Sequence, residues 1–142
     1  MIKLTAINKI YRTEDIETQA LENVNLQVKK GEFLSIMGPL GCGKSTLLNI
    51  MGLLDTPTSE SIEINGTNVK GMTDCELAAF RNKTFGFVFQ SFYLINSLNV
   101  LDNVELPLLY RKVGAKKRRT KTEAVLEKVG HTHRMRRMTV FA

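Results

Sequence analysis

Residues 38–45 read Gly-Pro-Leu-Gly-Cys-Gly-Lys-Ser, which fits the pattern G-x-x-x-x-G-K-[ST] without a gap. Glycines at these positions let the backbone curl so that successive N–H groups converge on an anion. A helix that begins near Lys44 aims the positive end of its dipole at the same point. Lys44 can reach the β- and γ-phosphates of a nucleotide, Ser45 can bind Mg²⁺ through its hydroxyl, and Thr46 is placed to contact the α-phosphate. The spacing therefore predicts a loop that binds a nucleotide and its magnesium ion.

The sequence on either side supplies the elements that must hold this loop. Residues 32–37, "EFLSIM", have the apolar composition of a short strand that is buried on both faces. Apolar residues then recur at helical spacing over 44–54, up to Pro57. Strand, glycine-rich loop and helix in this order are the context that the motif requires. The alternative, a glycine-rich turn without a ligand, gives no reason for Lys-Ser at this register.

The rest of the chain predicts an antiparallel β subdomain followed by an α/β core. Residues 2–12 and 20–28 alternate between apolar and polar side chains and are joined by a polar turn at 13–16, so they predict a hairpin. Strands and helices then alternate, which favours the α/β class. We predict further strands at 61–65, which ends in an Asn65-Gly66 turn signal, and at 85–89. Helices are predicted at 73–82, where Thr73 and Glu76 fit a capping box, and at 100–110 and 115–129. The last helix is basic, with an apolar side formed by Ala124, Val125, Leu126 and Val129.

Charge is distributed unevenly along the 142 residues. Residues 1–110 hold 9 Lys/Arg and 12 Asp/Glu, whereas residues 111–142 hold 11 Lys/Arg and 2 Asp/Glu. A basic segment of this kind is typical of a solvated helix face, and it also suits nucleic acid or anionic lipid. No aromatic residue interleaves these charges before Phe141, which argues against single-strand binding.

Other features suggest a reduced cellular compartment. Two cysteines, Cys42 and Cys75, do not form a disulfide framework. No apolar run approaches the roughly 18 residues that a membrane span needs, and no apolar leader follows Met1. We therefore expect a cytoplasmic chain. His131 and His133 have no Cys or carboxylate close in sequence, so a polar loop is favoured over a zinc site.

Two long stretches resemble one protein family. Residues 21–69, "LENVNLQVKKGEFLSIMGPLGCGKSTLLNIMGLLDTPTSESIEINGTNV", closely resemble the start of ABC-transporter ATPase domains. Residues 85–110, "FGFVFQSFYLINSLNVLDNVELPLLY", resemble their Q-loop region. The resemblance covers residues 2 to about 137 and is closest to the branch that serves lipoprotein release and macrolide export. It implies a P-loop NTPase fold, with a RecA-like core beside an N-terminal antiparallel β subdomain.

The resemblance also assigns site residues. Tyr11 matches the aromatic residue that stacks on adenine, although a tyrosine packed in a strand remains the alternative. Gln90 matches the Q-loop glutamine, which touches Mg²⁺ and the attacking water, although a strand-end glutamine bonded to backbone is the alternative. Lys44 and Gln90 would serve catalysis, and Ser45 and Gln90 would contact the metal. The Walker A loop is matched by Gly38, Pro39, Leu40, Gly41, Cys42, Gly43, Lys44, Ser45 and Thr46, with Leu40 where the family usually has serine.

The sequence departs from the family after residue 137. It reads "MTVFA" at 138–142, without the Leu-Ser-Gly-Gly-Gln signature, a Walker B strand or the switch histidine. We therefore expect a partial ABC ATPase domain over 1–142, truncated before these motifs. It would comprise a hairpin region at 1–31, the P-loop core up to the Q-loop at 32–90, and the start of a helical subdomain at 91–142. Strands that should flank the P-loop strand would be missing, so we expect exposed apolar surface and weak or absent hydrolysis by this chain alone.

Three functions are compatible with these observations. The first is an ATP-binding subunit that energises a membrane permease for export or lipoprotein release. It would pair head-to-tail with a second ATPase subunit, lie peripherally at the inner face of the membrane, and place residues 91–110 near the permease. The second is a truncated, non-catalytic remnant that binds nucleotide weakly. The third, nucleic-acid binding through residues 111–137, is not expected.

Overall fold

The computed structural model describes residues 1–91 and 93–139, in two compact units, Met1–Arg81 and Asn82–Ala142. The first unit contains a four-stranded sheet in the order β2-β1-β3-β4. All neighbouring pairs in this sheet are antiparallel. The strands are β1 (Ile2–Arg12), β2 (Glu17–Val28), β3 (Ser59–Ile64) and β4 (Thr67–Asn68).

The hairpin of β1 and β2 confirms the prediction for the start of the chain. Its register runs from Ile2 opposite Val28 to Arg12 opposite Glu17, so β2 begins three residues before the predicted position. Leu4, Ile7 and Leu21 are buried and form a core with Ile62, Ile64 and Ile50. Leu4 and Ile7 are three residues apart, so simple alternation would place them on opposite faces. The register of β1 shifts between them, where Ala6 has a φ of 50°, and this irregularity lets both side chains face the core. This sheet is the scaffold against which the glycine-rich loop lies.

Local signals also predict the next turn and helix correctly. Asn65 and Gly66 both have positive φ, 50° and 82°, as a tight two-residue hairpin between β3 and β4 requires. Helix α1 (Lys44–Met51) follows the glycine-rich loop and ends earlier than predicted. Helix α2 (Asp74–Thr84) begins with a capping box in which Thr73 N–H donates to Glu76 Oε2 at 2.8 Å.

The two predicted strands at 32–37 and 85–89 are not strands in the structure, and this part of the prediction is wrong. An extended segment forms a strand only when its N–H and C=O groups pair with a neighbour, and neither segment has such a partner among the described residues. Residues 32–37 are not buried on both faces: Ile36 is half-buried and the other five are exposed, with Phe33 95% and Met37 87% accessible.

The second unit contains two further α-helices. Helix α3 (Val100–Tyr110) begins where predicted, and Asn99 caps it by accepting a hydrogen bond from Asp102 N–H at 2.8 Å. Helix α4 (Ala115–Lys128) packs on α3, and a short 3₁₀ helix (Thr132–Arg134) follows. Leu101 of α3 and Thr122 and Leu126 of α4 are buried.

Two valines at the C-terminal end of α4 are exposed. Val125 and Val129, which the sequence pattern places on the apolar side of the predicted helix, are 50% and 58% accessible. Of the helices in the described ranges 1–91 and 93–139, none is long and apolar enough to cross a bilayer.

Candidate nucleotide-binding site

The loop before α1 has a backbone that requires glycine. Gly41 and Gly43 have φ of 81° and 83°, in the left-handed region that residues with a Cβ rarely adopt. A Cβ on Gly43 would lie 2.4 Å from the carbonyl oxygen of Ala20 in β2. At Gly38 it would lie 2.8 Å from Cys42 Sγ. The loop is thus pressed against the sheet at Gly43 and folded on itself at Gly38.

The Lys44 side chain lies across this loop. Its ammonium group donates hydrogen bonds to the carbonyl oxygens of Gly38 at 2.9 Å and Pro39 at 2.5 Å, and lies 3.5 Å from Cys42 Sγ. These contacts are to neutral groups, so the positive charge is not neutralised within the loop. The ammonium is therefore held where an anion entering the loop would meet it.

The first turn of α1 adds further donors. Its first internal hydrogen bond is from Leu47 N–H to Gly43 O at 2.9 Å, and no side chain caps the helix. The N–H groups of Lys44, Ser45 and Thr46 have no hydrogen-bond acceptor in the described part of the chain, and the first turn carries no acidic residue. Unpaired N–H groups at a helix start, together with the helix dipole, favour an anion at this point.

These groups fit a nucleotide polyphosphate with its metal ion. The backbone is the curled, glycine-dependent cradle that phosphates need, a cation lies within it, and the Ser45 hydroxyl stands exposed on the first turn. Leu40 and Cys42 are exposed at the loop surface, so the leucine that replaces the usual serine leaves the cradle open.

Tyr11 lies in the same unit as the loop. It pairs with Thr18 on β2, two residues before Ala20, the residue that touches Gly43. The Tyr11 hydroxyl donates to Asp55 Oδ2 at 2.8 Å, and the Lys9 ammonium lies over its ring, 4.9 Å from the centroid. The ring is 43% accessible, so it is oriented by neighbours without being packed away.

Sequence reasoning missed the two residues that hold this tyrosine. Lys9 Nζ lies 2.6 Å from Asp55 Oδ1, and more than 40 residues separate the two in sequence, so no local pattern could reveal the contact. Burial alone would raise the pKa of Asp55, but hydrogen bonds from Lys9, Tyr11 and Thr56 N–H, with the charge of Lys9, hold that pKa below its ordinary value.

Gln90 belongs to the second unit, whereas the glycine-rich loop belongs to the first. Its side chain is exposed and makes no hydrogen bond within the described ranges, so the backbone-bonded alternative is not observed. Aromatic residues on both sides of Gln90 form a cluster, in which the rings of Phe87 and Phe89 stack at 5.5 Å and Tyr93 meets Phe89 edge-on at 4.9 Å. Contact of Gln90 with the metal remains a prediction.

A glycine-dependent loop, an inward lysine and an uncapped helix start together define a P-loop nucleotide-binding protein. The profile of the ABC transporter family matches residues 21–140, and the chain belongs to that family. The family resemblance, the fold class and the antiparallel sheet at the N-terminus are thereby confirmed.

Relatives and solved structures agree with this assignment. The uncharacterized ABC transporter ATP-binding protein YknY of Bacillus subtilis is 45% identical over 138 residues, which are 97% of this chain and 60% of YknY. The macrolide export ATP-binding/permease protein MacB of Hyphomonas neptunium is 41% identical over 130 residues, 92% of this chain and 20% of MacB. The structure of the ATP-binding cassette MJ0796 of Methanocaldococcus jannaschii, a dimer bound to ADP and Pi, superposes with a TM-score of 0.88 at 40% identity, covering 98% of this chain and 62% of that one. The chain thus spans about 60% of the length of relatives such as YknY.

Proposed function

We propose that this chain is the ATP-binding part of an ABC transporter ATPase subunit and that it binds Mg-ATP through residues 38–46. The observation that carries the proposal is the convergence of an unneutralised ammonium, Lys44, and three unpaired N–H groups on one glycine-lined loop. No anionic side chain contacts the loop among the described residues, so the site is electrostatically prepared for a phosphate chain.

Each part of the loop would have a distinct role. The N–H groups at the start of α1 would hold the phosphate oxygens, with Thr46 nearest the α-phosphate. Lys44 would exchange the carbonyl oxygens of Gly38 and Pro39 for the β- and γ-phosphates, a gain because charged acceptors bind an ammonium more strongly than neutral ones. Ser45 would supply a hydroxyl to Mg²⁺. Tyr11 would stack on the adenine base.

The proposed partners are a second ATPase subunit and a membrane permease. The dimeric MJ0796 cassette supports pairing with a second subunit, and the name of MacB joins an ATP-binding part to a permease in one protein. Gln90 and residues 91–110 would transmit nucleotide binding to the permease, which would hold the chain at the inner face of the membrane. The relatives named for macrolide export favour export as the transport direction.

We further propose that this chain binds Mg-ATP but hydrolyses it slowly or not at all. The 142 residues include neither the signature motif nor the Walker B carboxylates, on which positioning of the metal and the attacking water depends. The alternative is a remnant that binds nucleotide weakly or not at all. The two possibilities predict different affinities for ATP, whereas both predict slow or absent hydrolysis.

The test is Mg-ATP binding by the 142-residue chain, measured with a fluorescent ATP analogue, alongside release of inorganic phosphate. Lys44→Ala should weaken binding about 10- to 100-fold, because it removes charge-assisted hydrogen bonds to phosphate. Lys29→Ala, at an exposed lysine beside a turn, is the matched control and should leave binding unchanged.

Two outcomes would count against the proposal. Equal affinity of the parent and the Lys44→Ala variant would remove residues 38–46 from the site. Absence of measurable binding by a folded parent chain would support the remnant. Phosphate release at ordinary P-loop ATPase rates would refute only the proposal that this chain hydrolyses ATP slowly or not at all.

A further inference from the structure

The outer face of α4 carries a line of lysines. Thr122 and Leu126 are buried and mark the side of the helix that packs against α3. At 3.6 residues per turn, Lys117, Lys121 and Lys128 lie within about 40° of one another on the opposite side, and the line they form is about 16 Å long. All three side chains are exposed. We call these three residues the lysine stripe.

The charges of the stripe are not neutralised by the described part of the unit. The arginines of α4 have partners: Arg118 pairs with Glu105 at 2.8 Å, and Arg119 with Glu123 at 3.0 Å. No ion pair or hydrogen bond is found for the side chains of the stripe within residues 1–91 and 93–139.

The spacing of the stripe makes its lack of partners costly. Lys117 and Lys121 are four residues apart, a spacing at which like charges destabilise a helix and at which an acidic residue would stabilise it. The stripe therefore has the charge and the spacing to meet a negatively charged partner from outside the unit.

The residues beside the stripe indicate which kind of partner it would bind. Ala124 lies between Lys121 and Lys128 along the helix, and Val125 and Val129 are 50% and 58% accessible next to it. Exposed aliphatic side chains flanking lysines suit the boundary between lipid headgroups and acyl chains. Nucleic-acid strands would instead favour stacking residues, and α4 contains no aromatic residue.

We propose that the lysine stripe docks directly on anionic phospholipid headgroups. This contact goes beyond the proposed function, in which only a permease holds the chain at the membrane, and it does not require bound ATP. The valines would rest at the headgroup level while the ammonium groups pair with phosphates. Because the attraction is electrostatic, binding should weaken steeply with salt.

The experiment is flotation of the 142-residue chain with two kinds of vesicle. One contains phosphatidylcholine alone, and the other has about one third of it replaced by phosphatidylglycerol. We expect binding to the anionic vesicles only. The triple variant Lys117→Gln, Lys121→Gln, Lys128→Gln should lose about 100-fold in affinity, from the usual attraction of lysines near an anionic surface. Glutamine has nearly the helix propensity of lysine, so α4 should be retained, which circular dichroism checks.

Two further variants separate the stripe from overall charge. Lys29→Gln, Lys30→Gln, Lys70→Gln removes the same charge from exposed positions of the first unit and should keep vesicle binding. Replacing the stripe with three arginines should keep it as well. Equal losses in both glutamine variants, or no preference for anionic vesicles, would overturn the proposal.

Duplex DNA is the alternative partner that the experiment compares with anionic vesicles. Stripe-dependent binding to DNA that is tighter than binding to anionic vesicles would overturn the lipid assignment in favour of nucleic acid. Binding of the fluorescent ATP analogue by the same variants shows whether the nucleotide site is intact. Failure of lipid docking is thereby distinguished from failure of the proposed function.

Discussion

Replacement of Tyr11 by alanine should weaken the affinity of the chain for Mg-ATP without changing its affinity for magnesium tripolyphosphate. Tripolyphosphate presents the phosphate chain alone, so it uses the glycine-rich loop but has no base for the ring to stack on. The difference between the two ligands therefore isolates the contribution of the tyrosine.

The size of the effect follows from how the ring is held. Stacking of a base on an aromatic side chain contributes about 1–3 kcal/mol. The Tyr11 hydroxyl is bonded to Asp55 at 2.8 Å and the Lys9 ammonium covers one face of the ring, so little orientational freedom is lost when a base stacks on the other face. We expect a loss of about 2 kcal/mol, or roughly 30-fold in Kd. Tyr11→Phe keeps the ring and should lose no more than about threefold.

The assay is isothermal titration of both ligands into the parent chain and its variants. Tyr110→Ala is the matched control, because Tyr110 is an exposed tyrosine in the second unit, 76% accessible, and has no proposed role with the base. Unchanged ATP affinity in Tyr11→Ala would refute the stacking role. An equal loss for tripolyphosphate would show that the variant disturbs the loop, and would leave Tyr11 as a packed strand residue.

Three further predictions concern the loop, the second unit and Asp55. Gly43→Ala should abolish measurable ATP binding and lower thermal stability, because the new Cβ would lie 2.4 Å from the Ala20 carbonyl oxygen and the left-handed backbone alone costs about 1–2 kcal/mol. Asn103→Ala should lower the free energy of unfolding by about 2 kcal/mol in urea titration, because its amide bonds to the backbone of Ile95, Leu98 and Asn99. The Asp55 pKa is lower in the folded chain, so its carboxylate stabilises the fold above the ordinary value of 3.8, and this contribution should be lost as pH falls below it.

Each of these predictions has a matched control. Gly41→Ala has the same backbone strain as the Gly43 variant without a close neighbour, so equal losses in the two would exclude the contact with β2 as the cause. Asn96→Ala removes an exposed amide without a bonded partner among the described residues, and it should be neutral. Asp55→Asn should flatten the acid limb of the stability profile; an unchanged acid limb would show that other carboxylates dominate it.

Local sequence patterns were sufficient for every element whose stabilising contacts are close in the chain. The first hairpin, the Asn65-Gly66 turn and the capping box of Thr73 and Glu76 were all predicted and are all present. Each rests on alternation, turn chemistry or a cap within a few residues. The loop at 38–45 was predictable for the same reason, since its glycines, lysine and following helix act on one another locally.

Contacts between distant segments were beyond the sequence patterns. Pairing of residues 32–37 or 85–89 depends on a neighbouring strand, which apolar composition alone cannot supply, and both segments lack one in the structure. The side of α4 that is buried also depends on where α3 lies, so Val125 and Val129 are exposed although they are apolar. Lys9 and Tyr11 lie on β1, whereas Asp55 lies in the segment after α1. Only the folding of the sheet brings Asp55 within hydrogen-bond distance of the other two side chains.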